Sequence, residues 1–349
     1  MNITKLLQQA RLKDRANHQE KELSKIGNLR VGSSGIMSSN GDIAAECARK
    51  SYIRSLGLEL DPPTVPTQIM WDLGYANEDR VVESLKLVVP EGMTILREEE
   101  IPVSWTTSNG TLVTGRPDIV ICKVNPRDTY TTATGSIIAS LIKQLEDAKP
   151  VLGLELKSVH SMWTARDVLF GREPKMNNLA QAAHYMMLLG VPYKLVYRSY
   201  SILGQGPAQW AERLFPKDGE PGSEYIQWGD IDKKTGKRAM RGIAQFEIVY
   251  DLRFDAHGRL EYSVEDENKW TRTIITREDI TRYFEHVANI STTKNLGPRP
   301  TAVTATGEKA SFNMCSPKYC PLAETCDKYD KSKDFDQWLR EVRQKLGAK

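Results

Sequence analysis

The sequence predicts a mixed α/β fold, with a central mixed sheet flanked by helices, and three observations lead to it. Strand-length apolar runs lie at 111–124, 151–159 and 193–202. A helix of small and apolar residues, Met176 to Leu189, separates the last two and is ended by Gly190. Turn signals at Ser108-Asn109-Gly110 and Asp255-Ala256-His257-Gly258 divide the neighbouring runs into hairpins.

Taken in order, residues 1–30 form a charged stretch with spaced leucines, read as a helical arm ahead of a single domain over 31–349. Ser38, Ser39 and Asn40 precede a run through Ile53, which predicts a helix capped near Ser39 or Asn40, carrying Cys47 in its middle and stopping by Gly57. Pro62, Pro63 and Pro66 mark a turn, and Ile69 to Leu87 repeats apolar residues at helical spacing through Leu73, Val81, Val82 and Leu85. Strands follow at 98–105 and 111–124, which places Asp118 on a strand. An insert at 125–150, helical in its second half from Ser136 to Ala148, leads to the strand Val151 to Val159. Beyond Tyr193 to Ile202, the Gly-, Pro- and charge-rich stretch 204–242 reads as a long excursion. A hairpin of Gln245 to Phe254 with Arg259 to Val264 and a helix from Arg277 to Ile290 complete the pattern.

Composition constrains function less than the motifs do. With 349 residues and 40% hydrophobic content the chain can bury a substantial core, and a net charge of +3 makes no case for nucleic-acid binding unless basic residues cluster locally. No apolar run approaches the roughly 20 residues that span a bilayer, so no membrane association and a cytoplasmic, reducing location are expected. Five cysteines, three of them close together at Cys315, Cys320 and Cys326, suit thiolate ligation in such a compartment better than disulfides.

The chemistry-bearing residues begin with Asp118, which follows Gly115-Arg116-Pro117, and continue in Gly153-Leu154-Glu155-Leu156-Lys157. Residues two apart on a strand share a face, so Glu155 and Lys157 can enter one pocket while Leu154 and Leu156 face the core. A carboxylate pair holding a divalent ion beside a lysine suits hydrolysis of a phosphodiester. An Asp after a proline is also an ordinary turn residue, and Glu-x-Lys is often a solvated face. Here, however, both charges interrupt an apolar strand, where burial is costly unless they serve each other or a metal.

These segments resemble the PD-(D/E)xK nuclease superfamily in its RecB-like branch. Gln181-Ala182-Ala183-His184-Tyr185, on the helix after the Glu-x-Lys strand, is similar to that branch's Q-x-x-x-Y motif, with Gln181 and Tyr185 on one helix face. The resemblance implies a restriction-endonuclease-like core in which Asp118, Glu155 and the carbonyl of Leu156 bind Mg2+ or Mn2+. Lys157 would orient the attacking water, Gln181 and Tyr185 would position the nucleic-acid strand, and Arg116 or Lys175 would contact phosphates. Upstream, where the family usually places a His after a Gly, this chain has Gly74-Tyr75-Ala76-Asn77-Glu78, so Asn77 and Glu78 stand as the candidate further ligands. The products implied are 5'-phosphate and 3'-hydroxyl ends on DNA, in recombination, repair or processing.

Cys315, Cys320 and Cys326 are separated by four and five residues, wider than zinc-ribbon spacing, and Cys47 is the natural fourth member. Four cysteines by themselves do not separate zinc from iron-sulfur. The stretch Cys47-Ala48-Arg49-Lys50-Ser51-Tyr52 resembles the first cysteine segment of AddB-type and CRISPR-associated iron-sulfur exonucleases, which ligate a 4Fe-4S cluster with one cysteine before the nuclease core and three after it. The resemblance implies that cluster here, as a staple between the two ends of the chain. Cys122, in an apolar run, is read as a core thiol. The sequence contains no Gly-x-x-x-x-Gly-Lys loop, so a helicase or recombination partner is expected to be a separate chain. Two alternatives stay open: a nuclease fold that binds DNA without cleaving it, and a zinc-stapled protein of unrelated activity.

Overall fold

The interior strand Lys149–Ser158 carries both Glu155 and Lys157, and the computed structural model builds its main sheet around it. Described are residues 29–30, 37–39, 42–44, 47–58, 65–97, 100–101, 103–124, 148–199, 202–203, 215–217, 219–231, 233–234, 236, 238–297, 299, 301–302, 315 and 320–347. In chain order the strands are β1 (Leu29–Arg30), β2 (Met37–Ser39), β3 (Asp42–Ala44), β4 (Met93–Arg97), β5 (Val103–Thr106), β6 (Leu112–Gly115), β7 (Ile119–Lys123) and β8 (Lys149–Ser158). They continue as β9 (Tyr193–Ser199), β10 (Ile202–Leu203), β11 (Ile226–Ile231), β12 (Arg238–Ile243), β13 (Phe246–Phe254), β14 (Arg259–Val264), β15 (Thr271–Thr276) and β16 (Thr301–Ala302).

Seven of these strands form the mixed central sheet, in the order β15-β14-β13-β9-β8-β7-β4. Only β8 and β9 are parallel, with Gly153 opposite Tyr193 and Lys157 opposite Tyr197. The Met176–Leu189 helix makes the crossover between them, as a parallel pair requires. It ends as expected at Gly190, whose φ of 66° is left-handed and free of penalty for glycine.

Alternation along β8 divides the molecule into two layers. Leu152, Leu154 and Leu156 pack with Ile95, Ile119 and Val82, the last on the Val65–Lys86 helix. On the opposite face, Tyr193, Leu195 and Tyr197 of β9 join Leu179, Ala182 and Met186 of the crossover helix in the large core. The Arg277–Thr293 helix extends that core and starts at a capping box of Thr276 and Asp279. The C-terminal helices Ala323–Ser332 and Phe335–Gly347 pack on each other, burying Trp338, and Phe335 meets Tyr52 of the Ala48–Ser55 helix at 6.0 Å between ring centroids.

Several expectations need correction. The run 111–124 is two strands in two sheets, β6 beside β5 and β1, and β7 in the central sheet. The break falls at Arg116-Pro117-Asp118, because Pro117 has no N–H for a ladder, so Asp118 occupies a bend just before β7 and not the strand itself. The segment around Ser39 does not begin a helix: β2 and β3 pair antiparallel with Ser39 opposite Asp42, while Asn40, the other expected cap, lies outside the described residues. The helix starts later, at Ala48, with Cys47 at its N-cap. Within 204–242, β11 and β12 form an antiparallel pair that β10 joins, so part of that excursion is sheet. Leu73 is exposed on its helix. The arm over 1–30 lies outside the described residues except for Leu29–Arg30, which pairs with β6, and the helix expected over 136–148 also lies outside them, apart from Ala148. Among the described residues no helix is long and apolar enough to cross a membrane.

Gly153 is where the sheet is least tolerant. A Cβ there would stand 2.1 Å from the Tyr193 ring, whose packing on the bare backbone fixes β9 against β8. Gly153→Ala should lower stability by about 1–3 kcal/mol through overpacking, read as a reduced urea midpoint. An unchanged midpoint would show that the ring moves aside at no cost.

Candidate functional site

Antiparallel pairing of β7 with β8 sets Ile119 opposite Leu154, and one step beyond that pair brings Asp118 across from Glu155. The bend frees Asp118 from the ladder, and its Oδ2 accepts the Leu156 N–H at 2.7 Å. Glu155 is fully buried, and its Oε1 accepts from the Lys157 ammonium two residues along the same face. Its Oε2 has no hydrogen-bond partner. Two acids and one base therefore meet in the interior, as the i, i+2 spacing predicts.

Burial shapes the charge state of this group. It pushes Glu155 up to about 8, the nearby Asp118 adds to the rise, and Lys157 opposes it. Asp118 is also raised by burial, against the pull of Lys157, the Leu156 N–H and a hydrogen bond with the Glu155 side chain. Burial works against the Lys157 charge, but Glu155 and Asp118 outweigh it and hold the ammonium protonated above its ordinary range. Without a cation the acid pair thus retains a proton near neutrality.

Gln181 and Tyr185 lie on the buried face of the crossover helix. The Tyr185 hydroxyl accepts the Arg116 N–H at 3.2 Å, so it satisfies the backbone at the bend that presents Asp118, and Gln181 hydrogen-bonds this tyrosine in turn. Arg116 itself is exposed, whereas Lys175 is ion-paired with Asp167 at 2.5 Å. Asn77 and Glu78 are both buried. The Asn77 amide donates to Ser158 Oγ at 2.9 Å, and by alternation Ser158 leaves β8 on the side away from Glu155 and Lys157. Glu78 pairs with Arg97 at 3.2 Å and its charge is felt by Glu155, so of the two upstream residues it is the one coupled to the acid pair. Two neighbours escaped sequence reasoning: Tyr193, whose buried hydroxyl lacks a partner beside the acids, and Tyr197, whose hydroxyl accepts from Lys175 N at 2.8 Å and Asn178 at 2.9 Å. Only the β8–β9 register reveals them.

The four cysteines Cys47, Cys315, Cys320 and Cys326 are the second candidate set. Burial pushes the Cys47 thiol up to about 12; the Lys50 N–H opposes this, while charge on Cys315 and Cys326 adds to it. Cys315 is raised first by burial, pulled down by Arg299, and raised again by Cys320 and Cys326. The thiols from the two ends of the chain are therefore electrostatic neighbours. Cys122 stands apart, fully buried with Leu96 and Val120, as expected of a core thiol. Among the described residues no three His, Cys, Asp or Glu side chains stand close enough together to hold a metal ion. Compared with known proteins, the chain matches no family model and no curated sequence.

The raised acids give the free protein a pH signature. A carboxyl whose folded pKa exceeds its ordinary 4.5 stabilises the fold below that value and loses the contribution as pH rises through its folded pKa. Between about pH 4.5 and 8, chelator-treated protein should lose stability as Glu155 is forced to ionise, and Glu155→Gln should flatten that slope. Urea midpoints across the range test this; equal slopes in both proteins would rule it out.

Proposed function

We propose that this chain is a metal-dependent deoxyribonuclease of the RecB-like PD-(D/E)xK kind, an exonuclease whose terminal segments are stapled by a 4Fe-4S cluster. The reading rests foremost on the meeting of half-buried Asp118 and Lys157 at the fully buried Glu155, whose Oε2 no N–H donor reaches. An acid pair raised by its own burial, with a carboxylate oxygen that no N–H donor reaches, suits a divalent cation in place of the shared proton. Mg2+ or Mn2+, when bound, would supply Lewis-acid polarisation of the phosphate and acidify a water.

Asp118 and Glu155 would hold the ion, with the Leu156 carbonyl as a third oxygen donor and Glu78 or Asn77 behind them. The Leu156 N–H keeps Asp118 Oδ2 oriented, leaving Oδ1 for a ligand. Lys157, held protonated by both acids, would orient the attacking water and balance charge developing on the phosphate. Burial of Gln181 and Tyr185 supports a positioning role, since together they brace the bend that carries Asp118. Arg116, exposed beside that bend, is the residue offered to a DNA phosphate. The exonuclease mode, the 5'-phosphate and 3'-hydroxyl products and a separate helicase or recombination partner follow from the resemblance alone.

For the staple, the donor set is four thiols from opposite ends of the chain, coupled through charge. A cluster with an iron at each of four corners takes its thiolates farther apart than a single tetrahedral ion does, and it would supply folding free energy there and no redox step in cleavage.

Purified chain should degrade end-labelled linear DNA with Mg2+ or Mn2+, stop with chelator and leave circular DNA intact. Lys157→Ala should reduce the rate by about 10²–10³-fold without changing the fold or the iron content. Undiminished metal-dependent cleavage by that variant would sink the assignment, and degradation of circles would replace the exonuclease by an endonuclease.

A further inference from the structure

Arg49 is the most deeply buried cation among the described residues outside the acid pair's pocket, with 2% of its surface exposed. Its Nη2 donates to Gly297 O at 2.7 Å and to Asp330 Oδ1 at 2.6 Å. Its plane lies over the Tyr329 ring at 5.2 Å. The other two donor atoms, Nε and Nη1, are buried and make no hydrogen bond. An unmade hydrogen bond from a buried charged donor is expensive, and native interiors seldom retain one without a use.

The surroundings indicate the use. Arg49 follows Cys47 by two residues on the same helix start, and the Cys326 sulfur lies within reach of its guanidinium. Asp330, one turn beyond Cys326, holds a second arginine through its other oxygen: Arg299 Nε donates to Oδ2 at 2.6 Å, and Arg299 Nη2 pairs with Asp327. Both guanidiniums are close enough to act electrostatically on Cys315. Asp330 thus fixes two cations near Cys315 and Cys326, and one of them still has donors to give.

We propose that Arg49 is a positioning residue for the thiolate-ligated cluster, with Nε and Nη1 donating to its sulfur atoms, and that Arg299 shares in neutralising its negative charge. The proposal rests on the iron-sulfur reading above. Donors to sulfur and nearby positive charge favour the electron-richer state, so the pair raises the reduction potential and protects the cluster from oxidative loss. A purely structural Arg49, needed only to tie Gly297 to Asp330, would leave both properties unmoved.

The test uses the full chain purified without oxygen, analysed for iron and sulfide, then titrated for midpoint potential and followed by visible absorbance in air. Arg49→Met should make reduction at least tenfold less favourable, about 59 mV for one electron, and shorten the lifetime in air severalfold; Arg49→Lys should recover part of each. If wild type holds four irons and four sulfides, and Arg49→Met keeps its potential and lifetime within twofold, the proposal is overturned while the cluster stands. If wild type holds zinc or no metal, the cluster reading fails and takes the proposal with it. Should Arg49→Met not fold, Arg299→Gln tests the same electrostatics at a more exposed site: a lowered potential supports the proposal and an unchanged one overturns it.

Discussion

The burial of Glu155 in the sheet interior, with Asp118 and Lys157 half-buried beside it, is the constraint to which the rest of the fold answers. Ionisable groups leave water only at a cost that partners must offset, so the chain places Glu155 on an interior strand and gives it Lys157 on the same face. Asp118 is released from the ladder by Pro117 and turned onto the Leu156 N–H. Tyr185 takes up the backbone donor exposed by that break, which couples the crossover helix to the geometry of the acids. The large core on this side and the smaller aliphatic cluster on the other bury Glu155 completely, so burial sets its charge state first and Asp118 and Lys157 adjust it.

The same logic operates at the junction of the two chain ends. Arg49 is buried, and Asp330 holds it together with Arg299 across more than two hundred residues of sequence. Aromatic packing of Tyr52 on Phe335, and of Tyr329 and Phe335 on Trp338, supplies an apolar contact that would hold these helices together without any metal. In the proposed protein the cluster would add to this junction and not create it. Cys47 and Cys315 sit where burial disfavours free thiolates, an environment that ligation to a metal reverses.

The two groups pose different electrostatic problems. At the acid pair two carboxyls compete for one lysine, so negative charge is in excess and a cation fits. At the thiol group Arg49 and Arg299 share Asp330, and Arg299 also pairs with Asp327, so the two cations are fixed in place by carboxylates on the helix that carries Cys326.

What the sequence determined by itself was whatever depends on local periodicity. The i, i+2 placement of Glu155 and Lys157, the bounds of the Met176–Leu189 helix, its stop at Gly190 and the hairpin around Asp255 to Gly258 all follow from repeats and turn chemistry within a few residues. The split of 111–124 between two sheets was not legible, because an apolar run reads alike whether or not a proline redirects it to a second partner. The β2–β3 pairing was not legible either, because Ser38 and Ser39 serve equally well as helix caps and as strand residues. Only the tertiary structure decided that Asn77 turns to Ser158 while Glu78 couples to Glu155, that Tyr193 needs a bare Gly153, and that Arg49 lies beside Cys326. Those relations join residues far apart in the chain, and they depend on register and burial, which no local pattern encodes.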